Sequence, residues 1–407
     1  MSRCFSAWEF LSTTAAGNTT KLKIRLSYIA LAVGVLAAAQ AHAQSSVTLY
    51  GVLDNGIGYV NNAGGHSSIS AAQSSQSGNR FGLIGAENLG GGLKAIFRLE
   101  NGFSGQAGTI SQGGTLWGRY AYVGLSSSTY GTVTLGRQHD SVNNYVGKFA
   151  IAGQWAGNHG NNLADADDLH GTNRIDNSIR YETPEYRGLR ADTLFSFGGK
   201  PGAFQQNRVW SVGAAYANGP VRFAAAYMDI RDPNFSFFGD NATSSTTGSN
   251  MKDRSISGYA SAQSQEVLAL GGQYKIGAAT LNALYTRTSF SGMGAQPGIP
   301  NIWAKGSRAY FNDVQVSGMY YLTPVIRVEA AYDYLRGGGI NESSYSTWTA
   351  GADYFFSKRT SVYISAEYQH AAGIDSTGKR AVAAIDTVTA SSNQKQVIAN
   401  IGIKHTF

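Results

Sequence analysis

Cysteine is all but missing from this 407-residue chain, which holds only Cys4. Past residue 43 there is none, which excludes disulfide staples, thiolate metal sites and a thiol nucleophile from everything downstream. Charge is scarce as well, 14% against roughly 25% in soluble domains. Proline occurs only 7 times. After residue 43 no stretch of 18 apolar residues exists, which excludes a bundle of membrane-spanning helices. What is abundant is glycine (51), tyrosine (23) and phenylalanine (18), under a mean hydropathy of −0.19. A chain whose strands show one face to lipid and the other to water has this balance.

The N-terminus carries its own pattern. Lys21, Lys23 and Arg25 precede a small-and-apolar run from Ile29 to Ala39, and Ala41-His42-Ala43 stands directly before Gln44. A basic cluster, a short apolar segment and small residues at −3 and −1 predict a cleavable export signal over 1–43. The mixed residues 1–20 are foreign to such a signal, so the pattern predicts a true start near Leu22. Without Arg3, Lys21, Lys23, Arg25 and Glu9 the formal charge falls from +7 to +4. A nucleic-acid partner argued from net charge loses its basis there.

Residues 44–407 form one domain that reads as period-two alternation throughout. In Val325–Leu335 the odd positions include Arg327, Glu329 and Asp333, and the even positions are Ile326, Val328, Ala330, Tyr332 and Tyr334. Ser346–Phe356 repeats this with Trp348, Ala350, Ala352, Tyr354 and Phe356 on its apolar face. Val221, Phe223, Ala225 and Tyr227 oppose Arg222 in the same way. Only strands keep such faces intact. Seven short connections (Asn88–Gly92, Ser126–Gly131, Pro184–Gly188, Ala217–Pro220, Lys275–Ala278, Thr323–Pro324, Ser357–Arg359) alternate with eight long ones near 61–77, 104–115, 139–175, 199–207, 231–263, 290–311, 337–345 and 372–393. That predicts an all-β, 16-stranded antiparallel transmembrane β-barrel with short periplasmic turns and long extracellular loops. A soluble sandwich explains the alternation but not the turn asymmetry or the tyrosine-rich strand ends. A plugged transporter needs about 22 strands and a plug domain. The last strand, Val397–Phe407, alternates to a terminal aromatic, and Phe407 is the expected signal for insertion as a barrel.

The chain resembles general porins of the neisserial, β-proteobacterial type. The resemblance rests on Ser45-Ser46-Val47-Thr48-Leu49-Tyr50-Gly51, Asn79-Arg80-Phe81-Gly82-Leu83 with Gly85, Glu87-Asn88-Leu89-Gly90 and Gly92-Leu93-Lys94-Ala95-Ile96-Phe97. It extends through Arg119-Tyr120-Ala121-Tyr122-Val123-Gly124-Leu125, Gly131-Thr132-Val133-Thr134-Leu135-Gly136-Arg137 and Asn177-Ser178-Ile179-Arg180-Tyr181. Tyr354 with Ser357-Lys358-Arg359-Thr360, and the closing Ile401-Gly402-Ile403-Lys404-His405-Thr406-Phe407, complete it. A departure is Ile84, where such porins often carry a second arginine after Arg80. The resemblance implies a homotrimer with the third extracellular loop folded into each pore. A wide barrel with a charged lumen and no catalytic constellation predicts passive diffusion of ions and small hydrophilic solutes across the outer membrane, and the charge of +4 with Ile84 in place of an arginine predicts only a mild anion preference. The expected partners are outer-membrane lipid and lipopolysaccharide, the barrel-assembly machinery and the permeating solutes. No cofactor, metal or nucleic acid is expected.

A pore acts through its charged lining. Alternation places Arg80 inward against Phe81 and Leu83, Arg98 against Phe97 and Leu99, Arg119 against Tyr120 and Tyr122, and Arg180 against Ile179 and Tyr181. Together they predict a basic wall. Arg137 shares a face with Val133 and Leu135, so it belongs at the rim or is re-aimed by a bulge. The loop at 139–175 carries Asp165, Asp167 and Asp168, which either face the arginines as constriction-loop acids or sit on the loop's solvated limb. Pairing of the arginines with luminal Glu100 and Asp192 is the competing arrangement. His139, His159 and His170 match no tight ligand spacing. No G-x-S-x-G or similar nucleophile setting supports an enzyme. The alternative to a diffusion pore is a substrate-preferring channel or a surface-binding barrel. The Gly/Ser/Asn-rich run Asn241–Asn250 weighs against that alternative, and Phe235, Phe237 and Phe238 are expected to pack the loop or a subunit neighbour.

Overall fold

The computed structural model describes residues 45–239, 248 and 250–407. The expected signal over 1–43 and most of Asn241–Asn250 lie outside the described residues. Seventeen strand segments make one antiparallel sheet: β1 (Ser46–Ala63), β2 (His66–Gln73), β3 (Arg80–Gly90), β4 (Leu93–Gly102), β5 (Tyr120–Ser127), β6 (Gly131–Gln138), β7 (Ile175–Glu182), β8 (Leu189–Ser196) and β9 (Val209–Asn218), then β10 (Val221–Arg231), β11 (Ser264–Ile276), β12 (Ala279–Ser291), β13 (Arg308–Thr323), β14 (Ile326–Gly339), β15 (Ser343–Phe355), β16 (Thr360–Gly373) and β17 (Lys395–Thr406). β1 pairs with β2 along Asn55–Ala63 and with β3 along Ser46–Val52, so β2 and β3 are two lengths of one stave. That leaves sixteen staves. β1 also pairs with β17, Val52 opposite Thr406 through Val60 opposite Ile398, and the ring closes.

The alternation seen in the sequence is a lining. Glu329, Asp333, Thr347, Thr349 and Asp353 are buried inside, while Tyr332, Tyr334, Trp348 and Tyr354 are exposed outside. Val47, Leu49, Val123, Leu125, Phe223, Leu270, Val316, Ile364 and Ile401 continue the outer apolar band. At its short-turn end stand Tyr130, Tyr186, Tyr216, Tyr274, Tyr320 and Phe356, a belt of the kind that marks a membrane interface. Closure leaves no sheet edge for lipid to meet.

Two of the eight long connections are corrected. At 61–77 the chain makes a tight hairpin through Gly64 and Gly65, both at positive φ, and re-enters the sheet as β2. At 337–345 only residues 340–342 lie between β14 and β15. Glycine and serine there read as loop composition, but the strands run on past them. The irregular part of the first connection comes after β2, at 74–79, where the chain leaves the wall and folds inward.

Candidate functional site

The loop between β6 and β7 does not leave the barrel. Val142, Tyr145, Val146 and Phe149 form one apolar cluster with Leu194, Val209, Ala224, Met228, Val267, Ala269 and Leu284, the luminal residues of β8 to β12. Two glycines make the seat. A Cβ on Gly213 would lie 2.8 Å from the Tyr145 ring, and one on Gly271 would lie 2.5 Å from Phe149. The loop then crosses β13 and β14, with Ile151, Trp155 and Ala156 against Ala331 and the Ile151 N–H donating to Gln315 Oε1 at 2.9 Å. Its tip meets the last long loop, where Asn161 donates to Asp386.

Across from this loop lies the basic wall. Arg98 Nη2 is 2.6 Å from Glu100 Oε2 and Arg119 Nε is 2.5 Å from Glu100 Oε1. The Tyr50 hydroxyl donates to Glu100 at 2.6 Å and accepts from Arg98 Nε at 2.9 Å. The Arg98 guanidinium also lies 3.8 Å over the Tyr120 ring. Arg80 Nη1 donates to the Gly78 carbonyl and Ser77 Oγ, and among the described residues it has no carboxylate partner. Ile84 is 44% exposed on the same face, opposite Arg98 in register. Arg180 stands apart, paired with Asp192 at 2.6 Å and Glu182 at 2.7 Å.

The structure thus unites Arg80, Arg98 and Arg119 and separates Arg180 from them. One step of the parity argument is corrected. Register sets Tyr122 beside Arg98 and Tyr120 beside Glu100, on the luminal face, while Val123 and Leu125 point out. Arg119 reaches Glu100 because it precedes the first residue of β5, at a bend where alternation no longer applies. Glu100 and Asp192 are the ion-pair partners that the competing arrangement named.

Asp165, Asp167 and Asp168 are 0%, 3% and 0% exposed, so they present no open carboxylate to the lumen and lie on no solvated limb. They fasten the loop. Asp165 accepts from the N–H groups of His170 and Thr172, Asp167 from Thr286 Oγ1 and Asn162, and Asp168 from the Asn173 N–H. Burial pushes all three upward, Asp165 to about 8 with Asp167 adding to it. His170 is pushed down to about 3 by burial and by Arg119 and Arg174, and is neutral. Burial likewise keeps His139 neutral.

Sequence reasoning missed Arg174. It is 4% exposed, its Nη1 donates to the Thr172 carbonyl, and its Nε has no partner among the described residues. Burial and the nearby Arg119 and Arg137 press its pKa downward, yet a guanidinium keeps its charge at any pH a cell meets. It closes the β6–β7 loop just before β7, where no strand parity applies. Arg119, Arg174 and His170 all line one cavity of about 460 Å³ between loop and wall. Arg137 is re-aimed by a bulge between Gly136 and Gln138, and its guanidinium holds Asp176 at 2.6 Å and the Gly118 and Gly239 carbonyls. Phe235 and Phe238 are buried, and Phe238 joins the apolar cluster under the inward loop and bridges to Ile175 of β7. Among the described residues no group of three His, Cys, Asp or Glu is placed to hold a metal.

Arg119 and Arg174 thus line the cavity beside the inward loop together with His170 and Asp386, and Arg80 and Arg98 stand next to Arg119. A search of known families matches residues 30–373 to the model described as Gram-negative porin. An outer membrane porin protein of Bordetella pertussis is 30% identical over 393 residues, covering 85% of this chain and 94% of that one. The fold is similar to that of an anion-selective porin from Comamonas acidovorans, with a TM-score of 0.68 at 24% identity over 89% of this chain and all of that one. It is also similar to OmpT of Vibrio cholerae in its trimer form, with a TM-score of 0.61 at 15% identity over 89% of this chain and 99% of that one.

Proposed function

The chain belongs to the Gram-negative porin family, and from that premise we propose that its pore favours anions at the Arg80–Arg98–Arg119–Arg174 wall. The barrel is an outer-membrane channel for passive diffusion of ions and small hydrophilic solutes. The observation that carries the preference is the excess of guanidinium over carboxylate at the narrow passage. Among the described residues Glu100 is the one carboxylate ion-paired to that wall, and charged rings of one sign set the sign of the ion admitted. The Comamonas relative, described as anion-selective, supports this reading.

The same proposal includes export by the segment ending at Ala43, insertion signalled by Phe407, and assembly as a homotrimer among lipid and lipopolysaccharide. The trimer form of OmpT supports the oligomer. It assigns no chemical reaction to the chain. The test is single-channel recording in a planar bilayer with a salt gradient. Stepwise closure in threes and a reversal potential of the anion-selective sign are expected. A purified, folded chain that forms no open pore defeats the channel, and a cation-selective sign defeats the preference.

A further inference from the structure

Residues 74–79 interrupt the stave made by β2 and β3, and the sheet around them is otherwise continuous. A strand break facing lipid is costly, because its N–H and C=O groups have no water to meet. Here the break turns into the lumen, where side chains of the barrel wall take up several of its polar groups. Asp54 of β1 is fully buried. Its Oδ2 accepts the backbone N–H groups of Gln76 and Ser77, both at 2.7 Å, and its Oδ1 accepts the Tyr363 hydroxyl at 2.5 Å. The Asp54 N–H donates to Asn79 Oδ1 at 2.5 Å. Gln76 spans the far wall, donating to Asp353 Oδ1 at 2.9 Å and accepting from Lys404 Nζ at 2.7 Å.

The segment also meets the inward loop. The Ser74 carbonyl accepts from the Asn158 N–H at 3.5 Å, and a Cβ on Gly157 would lie 2.7 Å from the Ser75 backbone. Gly157 sits at φ +52, so this approach requires glycine on two counts. On its other flank Arg80 of the basic wall donates to Gly78 and Ser77. One short segment therefore touches the loop tip, the basic wall and the Lys404–Asp353 wall.

We infer that residues 74–79 are a second constriction element, held in place by Asp54, that narrows the ion path and seats the tip of the β6–β7 loop. This rests on the reading of the barrel as an open diffusion pore. Asp54 acts as a positioning residue, since its carboxylate organises the segment and is itself shielded from the lumen. Gln76 masks an ammonium and a carboxylate that would otherwise face the passing ion.

Thiol labelling tests it. No cysteine occurs after Cys4, so Ser77→Cys and, as a control, Ser128→Cys on a short turn each introduce a unique site into the exported chain. An open wild-type channel in the bilayer first secures the pore reading, and its absence would defeat that reading rather than this one. With the wild type conducting, a negatively charged methanethiosulfonate at Ser77→Cys is expected to lower conductance by about a fifth and weaken anion preference. The same label at Ser128→Cys is expected to do neither. Complete labelling of Ser77→Cys without a current change, or no labelling under conditions that label Ser128→Cys, overturns the assignment. For the positioning role, Asp54→Ala is expected to lower the voltage at which the channel closes, and Asp54→Asn to restore most of it. An unchanged threshold in Asp54→Ala overturns that role.

Discussion

Glu100→Gln isolates the charge of the basic wall from its shape. The side chain is fully buried between Arg98 at 2.6 Å and Arg119 at 2.5 Å, and glutamine keeps an oxygen for the Tyr50 hydroxyl. The substitution removes one negative charge and leaves Arg80, Arg98, Arg119 and Arg174 in place. In a water-filled lumen, a unit charge at about 6 Å from a monovalent ion changes its energy by ~0.7 kcal/mol. That is about threefold in local concentration, upward for anions and downward for cations, or about tenfold in their ratio before screening. At 0.01 M salt the Debye length of ~30 Å leaves most of this, whereas at 1 M a length of ~3 Å leaves less than twofold. The assay is the reversal potential across a salt gradient, repeated at low and high salt. Anion preference is expected to rise several-fold in dilute salt and to converge on wild type in concentrated salt. Arg119→Gln is expected to move the other way, and the double variant to return close to wild type. A shift toward cations, or a shift independent of salt, refutes the assignment of Glu100 as the counter-charge of the basic wall.

Three further outcomes are expected. Arg137→Ala, losing Asp176 and two backbone carbonyls around a nearly buried guanidinium, is expected to cost about 2–4 kcal/mol, read as the urea midpoint of folding into lipid vesicles. Gly213→Val is expected to push Tyr145 off its seat and change single-channel conductance, while heat-modifiability on gels, which reports the barrel, stays within a few degrees. Asp165, raised to about 8, holds a proton in the folded loop that the unfolded chain has already released. Its contribution is complete below the ordinary carboxylate range and is lost as pH rises through about 8. The apparent melting temperature is therefore expected to fall between pH 6 and pH 9, and Asp165→Asn to flatten that slope.

How much the sequence told differs by element. β14 and β15 were readable residue by residue, because a wall with lipid on one side and water on the other imposes its period on every position. The break at 74–79 was not, since Ser74-Ser75-Gln76-Ser77-Gly78 has loop composition and nothing local says that it folds inward. The instruction lies in Asp54 and Asp353, which are remote in sequence. The aspartates of the inward loop misled for a related reason. Acids in a Gly/Asn-rich loop read as facing either the arginines or the solvent, but Asp165 and Asp168 are buried and accept nearby N–H groups. Parity found Arg80 and Arg98, which lie inside strands. It had no purchase on Arg174, which does not, and it reached Arg119 through a wrong premise about Tyr120. The long-range contacts that make the constriction are set by the closed barrel rather than by neighbours in the chain.

The seam between β1 and β17 has a consequence for how the molecule comes into being. Phe407 exchanges backbone hydrogen bonds with Gly51, so nearly the first described residue and the last are partners. Until the final residue is available, any partial sheet has two open edges, and in lipid each unmatched edge is penalised along its whole length. Half-built barrels therefore have no resting place in the membrane. Pairing of β1 with β17 removes both edges at once, so it is closure of the seam, rather than the addition of any one stave, that makes the sheet compatible with lipid.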